Sequence, residues 1–199
     1  EMDGPTVEWM IGTARGGGFH LAGSLVIREE GRFYNRLVWT CPDGRIITYD
    51  KRHLFRMAGE EQVYSAGSSL LTARVEGWKI RPFICYDLRF PLWCRNRNGD
   101  YDAALYVANW PEKRASHWKT LLAARAIENQ CYVIGCNRTG FDGNGVTYSG
   151  DSSVIDPQGR VIIRETGGEG VLTARLSGDE LDAYRKSFPV WMDADEERM

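Results

Sequence analysis

A helical stretch framed by two short, wholly apolar runs limits the folds open to this chain more than any other feature. Ala103 to Ala108 reads Ala-Ala-Leu-Tyr-Val-Ala, and Cys131 to Cys136 reads Cys-Tyr-Val-Ile-Gly-Cys. Apolar runs of this length fit buried strands. From about Ala115 to Gln130, Trp118, Leu121, Leu122 and Ile127 fall on one side of a helix. Strand, helix and strand succeed one another. Together with hairpins in both halves of the chain, they predict a layered α/β domain around a mixed sheet.

The hairpins announce themselves by their turns. Phe33 to Cys41 and Arg45 to Tyr49 flank Pro42-Asp43-Gly44, and Leu70 to Val75 pairs with Ile80 to Cys85 across Glu76-Gly77. Ser153 to Ile155 and Val161 to Ile163 flank Pro157-Gln158-Gly159, Leu21 to Ile27 reads as a buried strand, and Val171 to Leu176 as one more. Two further helices are expected. One runs from Pro5 to Ala14 with Val7, Met10 and Ile11 inward, ended by Gly16-Gly17-Gly18. The other opens on the capping box Ser177-Gly-Asp-Glu180 and carries Leu181, Tyr184 and Phe188, and the acidic tail Asp193 to Glu197 reads as solvated. With 199 residues, no linker and no repeat, one domain is expected.

Several function classes fall away. A net charge of −2 with scattered Lys and Arg gives no basic stripe for nucleic acid. No apolar run approaches the ~20 residues of a membrane span, and no signal peptide is recognisable. Neither Gly-x-Gly-x-x-Gly nor a phosphate loop occurs, and Gly140 to Gly145 lacks the ligand order of a calcium loop and reads as a turn. His20, His53 and His117 form no metal pattern, so neither a metal nor a cofactor is expected. Cys41, Cys85, Cys94, Cys131 and Cys136 are odd in number and hold no C-x-x-C, which fits free thiols in a reducing cytoplasm. Cys131 and Cys136 read as small buried hydrophobes.

Cys85 differs in its surroundings. In Arg81-Pro-Phe-Ile-Cys85-Tyr-Asp-Leu-Arg-Phe-Pro91 it stands where a buried strand stops and a polar turn begins. Such an elbow exposes a nucleophile and leaves backbone N–H groups near an oxyanion. The same position also suits the last core residue of a strand. Lys51, in Tyr49-Asp50-Lys51-Arg52-His53-Leu54-Phe55, taken alone suits a solvated strand end.

Together these two segments resemble signature blocks of the nitrilase superfamily of carbon–nitrogen hydrolases. The resemblance continues through Asn109-Trp-Pro with His117-Trp118, Arg125-Ala-Ile-Glu-Asn129, Gly150-Asp-Ser and Asp156-Pro-Gln-Gly159. Phe55-Arg-Met57 and Phe188-Pro-Val-Trp191 are similar to the bacterial omega-amidase group. The resemblance implies a four-layer αββα sandwich, paired into a homodimer through outer helices and the Phe188 to Trp191 tail. It implies hydrolysis of the terminal amide of small 2-oxo-dicarboxylic acid monoamides, such as 2-oxoglutaramate and 2-oxosuccinamate, to the acid and ammonia. Cys85 would form the thioester. Lys51 would lower the thiol's pKa and hold the oxyanion with the Tyr86 N–H. Glu60, or its neighbour Glu61, would be the carboxylate that positions the lysine or the amide. Trp110, Asn137 and Arg138 would line the pocket, with Arg138 reading the substrate's carboxylate and Arg89 bracing the elbow with Asp87. Nitrilase or N-carbamoyl amidohydrolase chemistry, or an inactive dimerising module, are the alternatives.

One block of the pattern has no counterpart. The family's general base is a glutamate in a Pro-Glu segment that precedes the first helix seen here, and Glu1, Glu8, Glu29 and Glu30 lack its context. Residues 1–199 are therefore expected to be a single hydrolase domain lacking its first strand, first helix and catalytic glutamate, and nearly inactive by themselves.

Overall fold

The computed structural model describes residues 1–166 and 168–195. Helix α1 (Pro5–Gly17) starts on a proline, whose missing N–H is no loss in a first turn, and closes on Gly18 at φ 67°. Its Val7 and Met10 pack on Ile27 and Val38. These two belong to an antiparallel meander of β1 (Leu21–Glu29), β2 (Arg32–Thr40) and β3 (Ile46–Asp50). Along β2 side chains alternate between two covered faces: Val38 meets α1, while Leu37 and Trp39 turn to a second sheet. The expected Pro42-Asp43-Gly44 turn joins β2 to β3, with the Arg45 N–H bonded to Asp43 Oδ1 at 2.9 Å.

After a short α2 (Glu60–Val63), the chain builds the larger sheet from β4 (Ala73–Val75), β5 (Trp78–Ile84), β6 (Ala103–Ala108), β7 (Tyr132–Asn137), β8 (Thr139–Phe141), β9 (Thr147–Ile155) and β10 (Val161–Thr166). The strand order is β10-β9-β7-β6-β5-β4, with β8 on β9. Neighbours β5, β6 and β7 are parallel and the outer pairs antiparallel, so the sheet is mixed. Glu76 and Gly77 take φ 47° and 90°, the pair of left-handed residues a two-residue hairpin needs. Beyond β5 comes a one-turn α3 (Pro91–Cys94), and α4 (Ala115–Asn129) covers the outer face. There Trp118, Leu122 and Ala126 pack with Phe83, Tyr106, Val133 and Ile155. Leu37, Trp39 and Tyr49 of the small sheet meet Ala73 and Ile84 of the large one in a second core. The stack is thus α1, small sheet, large sheet, α4: an αββα sandwich.

Several sequence expectations need correction. Ile127 is half exposed, because the inward face of α4 passes through Arg125 and Asn129 instead. Most of their polar atoms are partnered: Arg125 donates to the Leu88 carbonyl at 2.6 Å and to Glu128 at 2.8 Å, and Asn129 Oδ1 accepts the Asn96 N–H at 2.8 Å, while Arg125 Nε is left without a partner among the described residues. Helix α5 (Gly178–Ser187) starts as expected, with Ser177 Oγ accepting the Glu180 N–H, but of its apolar trio only Leu181 is buried. Arg185 docks it instead, through Asp102 and the carbonyls of Tyr101 and Gln130. Residues 171–176 pair with no strand, and Val171 is almost fully exposed. Cys136 is exposed rather than buried. The Gly140 to Gly145 turn is the tip of the β8–β9 hairpin. In the acidic tail Asp193 and Asp195 are exposed, and positions 196–197 lie outside the described residues.

Candidate active site

Cys85 follows the last residue of β5 and takes φ 45°, a left-handed backbone that a side chain disfavours. A conformation of that kind costs about 1–3 kcal/mol and persists only where its surroundings enforce it. Asp87, fully buried two residues on, supplies the enforcement. Its Oδ2 accepts the Ile84 N–H at 3.1 Å and the Tyr49 hydroxyl at 2.7 Å. Its Oδ1 accepts the His53 N–H at 2.9 Å and lies 2.9 Å from His53 Nδ1. The His53 ring in turn stacks on Phe90 at 3.7 Å, and Trp93 Nε1 donates to the Tyr49 oxygen at 3.0 Å. One carboxylate thus ties the elbow after β5 to the chain on both sides of Lys51.

Lys51 lies just beyond β3 and is 1% exposed. Its N–H donates to the Asn35 carbonyl at 2.9 Å, and its own carbonyl accepts the Gly67 N–H at 2.9 Å. Only glycine fits at 67, since a Cβ there would stand 2.2 Å from the Asp50 carbonyl oxygen. Lys51 Nζ donates to both oxygens of Glu60, at 2.8 and 2.6 Å, and Glu60 Oε2 also accepts the Phe55 N–H at 2.9 Å. Glu60, not the adjacent Glu61, is therefore the carboxylate on the lysine.

Cys85, Lys51, Glu60, Tyr86 and Trp110 line one cavity of about 480 Å³, a size suited to a small molecule. The half-buried Cys85 thiol points a hydrogen at the Asn109 carbonyl, 3.9 Å away. Burial pushes this thiol above its ordinary pKa, the Lys51 ammonium pulls it down, and Glu60 pushes it up again. The expected lysine effect is present, but burial outweighs it.

Residues 1–186 match the sequence profile of the carbon-nitrogen hydrolase family. The chain is 51% identical to omega-amidase YafV of Escherichia coli K12, over 97% of this chain and 75% of that protein. It is 40% identical to the 2-oxoglutaramate amidase of Bacillus subtilis 168, over 93% of this chain and 72% of that one. The crystal structure of XC1258 from Xanthomonas campestris, a CN-hydrolase superfamily protein with an arsenic adduct in its active site, superposes with a TM-score of 0.98 at 46% identity. That match covers all of this chain and 78% of that one. The chain belongs to the carbon–nitrogen hydrolase family.

Within this carbon–nitrogen hydrolase the remaining expected residues part company. Trp110 is buried against Trp118, and its Nε1 donates to the Arg114 carbonyl at 2.8 Å. Asn137 stands behind the wall: its Oδ1 accepts the Trp110 N–H at 2.7 Å, and its Nδ2 donates to the carbonyls of Trp110 and Gly150. Arg138 is exposed and outside the lining; its guanidinium lies 4.7 Å over the Tyr148 ring and donates to the Phe141 carbonyl. Arg89 does not brace the elbow with Asp87. It meets His117 Nδ1 at 2.9 Å, covers the Trp110 ring at 4.9 Å and lines the cavity. Sequence reasoning missed Asp87 as the pin, Gly67, and the lining residues Lys113 and Arg114. The signal for the first was present, since Tyr49 and His53 bracket Lys51 as Asp87 follows Cys85. Among the described residues no helix is long and apolar enough to cross a membrane, and no cluster of three His, Cys, Asp or Glu could hold a metal ion.

Proposed function

We propose that this hydrolase cleaves the terminal amide of small 2-oxo-dicarboxylic acid monoamides, 2-oxoglutaramate first among them, through a thioester on Cys85. The carrying observation is the left-handed Cys85 elbow in one cavity with the buried Lys51–Glu60 pair. The thiolate attacks the amide carbon, and the negative oxygen is held by Lys51 and the Tyr86 N–H. The C–N bond breaks, the nitrogen takes a proton and leaves as ammonia, and water then cleaves the thioester to the acid and the thiol. Glu60, with both oxygens on Nζ, orients the lysine. The general base is assigned to none of the described residues: Glu60 is committed, and Asp142, the other lining carboxylate, binds its own loop and Tyr148. The names of the two amidase relatives support the substrate. Five free cysteines support a reducing, cytoplasmic setting, and the exposed Phe188, Trp191 and Met192 support a homodimer through that end.

The protein should release ammonia from 2-oxoglutaramate, form a thioester detectable by mass spectrometry, and lose both on Cys85→Ala. Faster turnover of a nitrile or an N-carbamoyl compound would replace this reading with a sister chemistry. No hydrolysis of any amide, with ordinary reactivity at Cys85, would leave a binding module. A monomer in light scattering would remove the dimer.

A further inference from the structure

The cavity wall carries more positive charge than the catalytic pair uses. Its lining cations are Lys51, Arg89, Lys113 and Arg114, against two carboxylates, Glu60 and Asp142. Glu60 is taken by Lys51. Asp142 accepts the N–H groups of Asn144 and Val146 and the Tyr148 hydroxyl. Among the described residues no acidic side chain forms an ion pair with Arg89, Lys113 or Arg114. Cations gathered in a half-enclosed site without counter-charges favour an anionic guest.

We propose that Arg114, supported by Lys113 and Arg89, is the subsite for the far carboxylate of the substrate and selects amides whose other end is anionic. The inference rests on the amidase reading above and gives that site its specificity residue. Arg114 is well placed to act. Its backbone is fixed on both sides, its N–H donating to the Pro111 carbonyl at 2.9 Å and its carbonyl accepting Trp110 Nε1 at 2.8 Å. Its guanidinium lies 5.3 Å over the Phe55 ring, and that ring packs 4.9 Å from Tyr86, the residue after the nucleophile. An aromatic ring under a guanidinium covers its face and leaves the in-plane N–H fork for a carboxylate. Arg89 has one nitrogen on His117 and rests on Trp110, so its charge faces the same wall. Arg138 has no such access, because it lies outside the lining.

The test compares 2-oxoglutaramate with pentanamide, a neutral amide of the same chain length. Arg114→Met should lower kcat/KM for 2-oxoglutaramate about 10–100-fold, mostly through KM, and leave pentanamide within about twofold. Arg114→Lys should recover part of the loss, and Arg138→Met should change neither substrate. The product 2-oxoglutarate should protect Cys85 from iodoacetamide in the wild type and in Arg138→Met, but not in Arg114→Met. Equal losses on both substrates would make Arg114 a scaffold residue and overturn the proposal, as would an unchanged 2-oxoglutaramate rate. A wild type that cleaves pentanamide as well as the anion would sink the subsite and leave the amidase standing. A wild type that cleaves neither would sink the amidase reading first.

Discussion

Replacing Asp87 by Asn tests how firmly the nucleophile is held, because the two side chains share a shape but not a bonding capacity. Each carboxylate oxygen of Asp87 serves two donors: Oδ2 takes Ile84 N–H and Tyr49 O–H, and Oδ1 takes His53 N–H and faces His53 Nδ1. An asparagine offers one carbonyl and one NH2, so one pair must face a donor. Turned toward Tyr49, the amide can be accepted by a rotated hydroxyl, yet the Ile84 N–H is left without an acceptor. Turned toward His53, it can be accepted by the other imidazole tautomer, yet the His53 N–H is orphaned. Either way one backbone N–H loses its partner in a buried setting, at a cost of about 1–3 kcal/mol. A chain of this size loses about 2–4 °C of Tm per kcal/mol, so a fall of about 4–8 °C is the central expectation. Asp87→Ala orphans all the donors and should cost about 3–5 kcal/mol, a large share of a stability near 5–15. The elbow should also relax from φ 45°, and a sulfur displaced by about 1 Å costs on the order of 10² in rate. Urea unfolding and kcat for 2-oxoglutaramate in Asp87→Asn check both parts. A variant with wild-type midpoint and wild-type kcat would refute the claim that this carboxylate enforces the elbow.

Lys51→Met removes the charge that pulls the Cys85 thiol down, so its pKa should rise further and iodoacetamide labelling at pH 8 should slow, with the labelling curve moved to higher pH. Gly67→Ala should push the Asp50–Lys51 backbone away by its Cβ, lowering kcat at least tenfold while the sandwich stays folded by circular dichroism. Burial pushes the Cys94 and Cys131 thiols up to about 12 and lifts Tyr101 and Tyr106 well above the ordinary phenol range. Unfolded thiols ionise near ~8.5 and phenols near ~10. The native state therefore holds more protons, and stability should fall by about 1.4 kcal/mol per thiol per pH unit from about pH 9 up to about 12, with the two phenols adding to the fall only above about pH 10. Urea midpoints that stay level between pH 8 and 10.5 would contradict this.

How much of this was legible follows from which forces act locally. Helix α4 was readable because its apolar period, its strands and its ends all agree, and the Glu76-Gly77 and Pro42-Asp43-Gly44 turns because residue type alone dictates them. Val171 to Leu176 misled because apolar alternation predicts a strand only where a partner edge exists, and none lies beside it among the described residues. Phe188 misled because α5 is docked by Arg185 bonds that no hydrophobic period records. Cys85 and Lys51 were found by resemblance, whereas the carboxylate joining their two loops is a long-range contact that only folding displays. Strand alternation alone separates Asn137 from Arg138. Both sit at the end of the run beginning at Cys131, where successive side chains point to opposite faces. Asn137 turns inward and bonds Trp110, so Arg138 must turn out, and it lies on the exposed side over Tyr148. Any carboxylate in the cavity then has to be read by cations arriving from another element. The residues Glu112 to Arg114, on the single turn before α4, are where the chain brings them in.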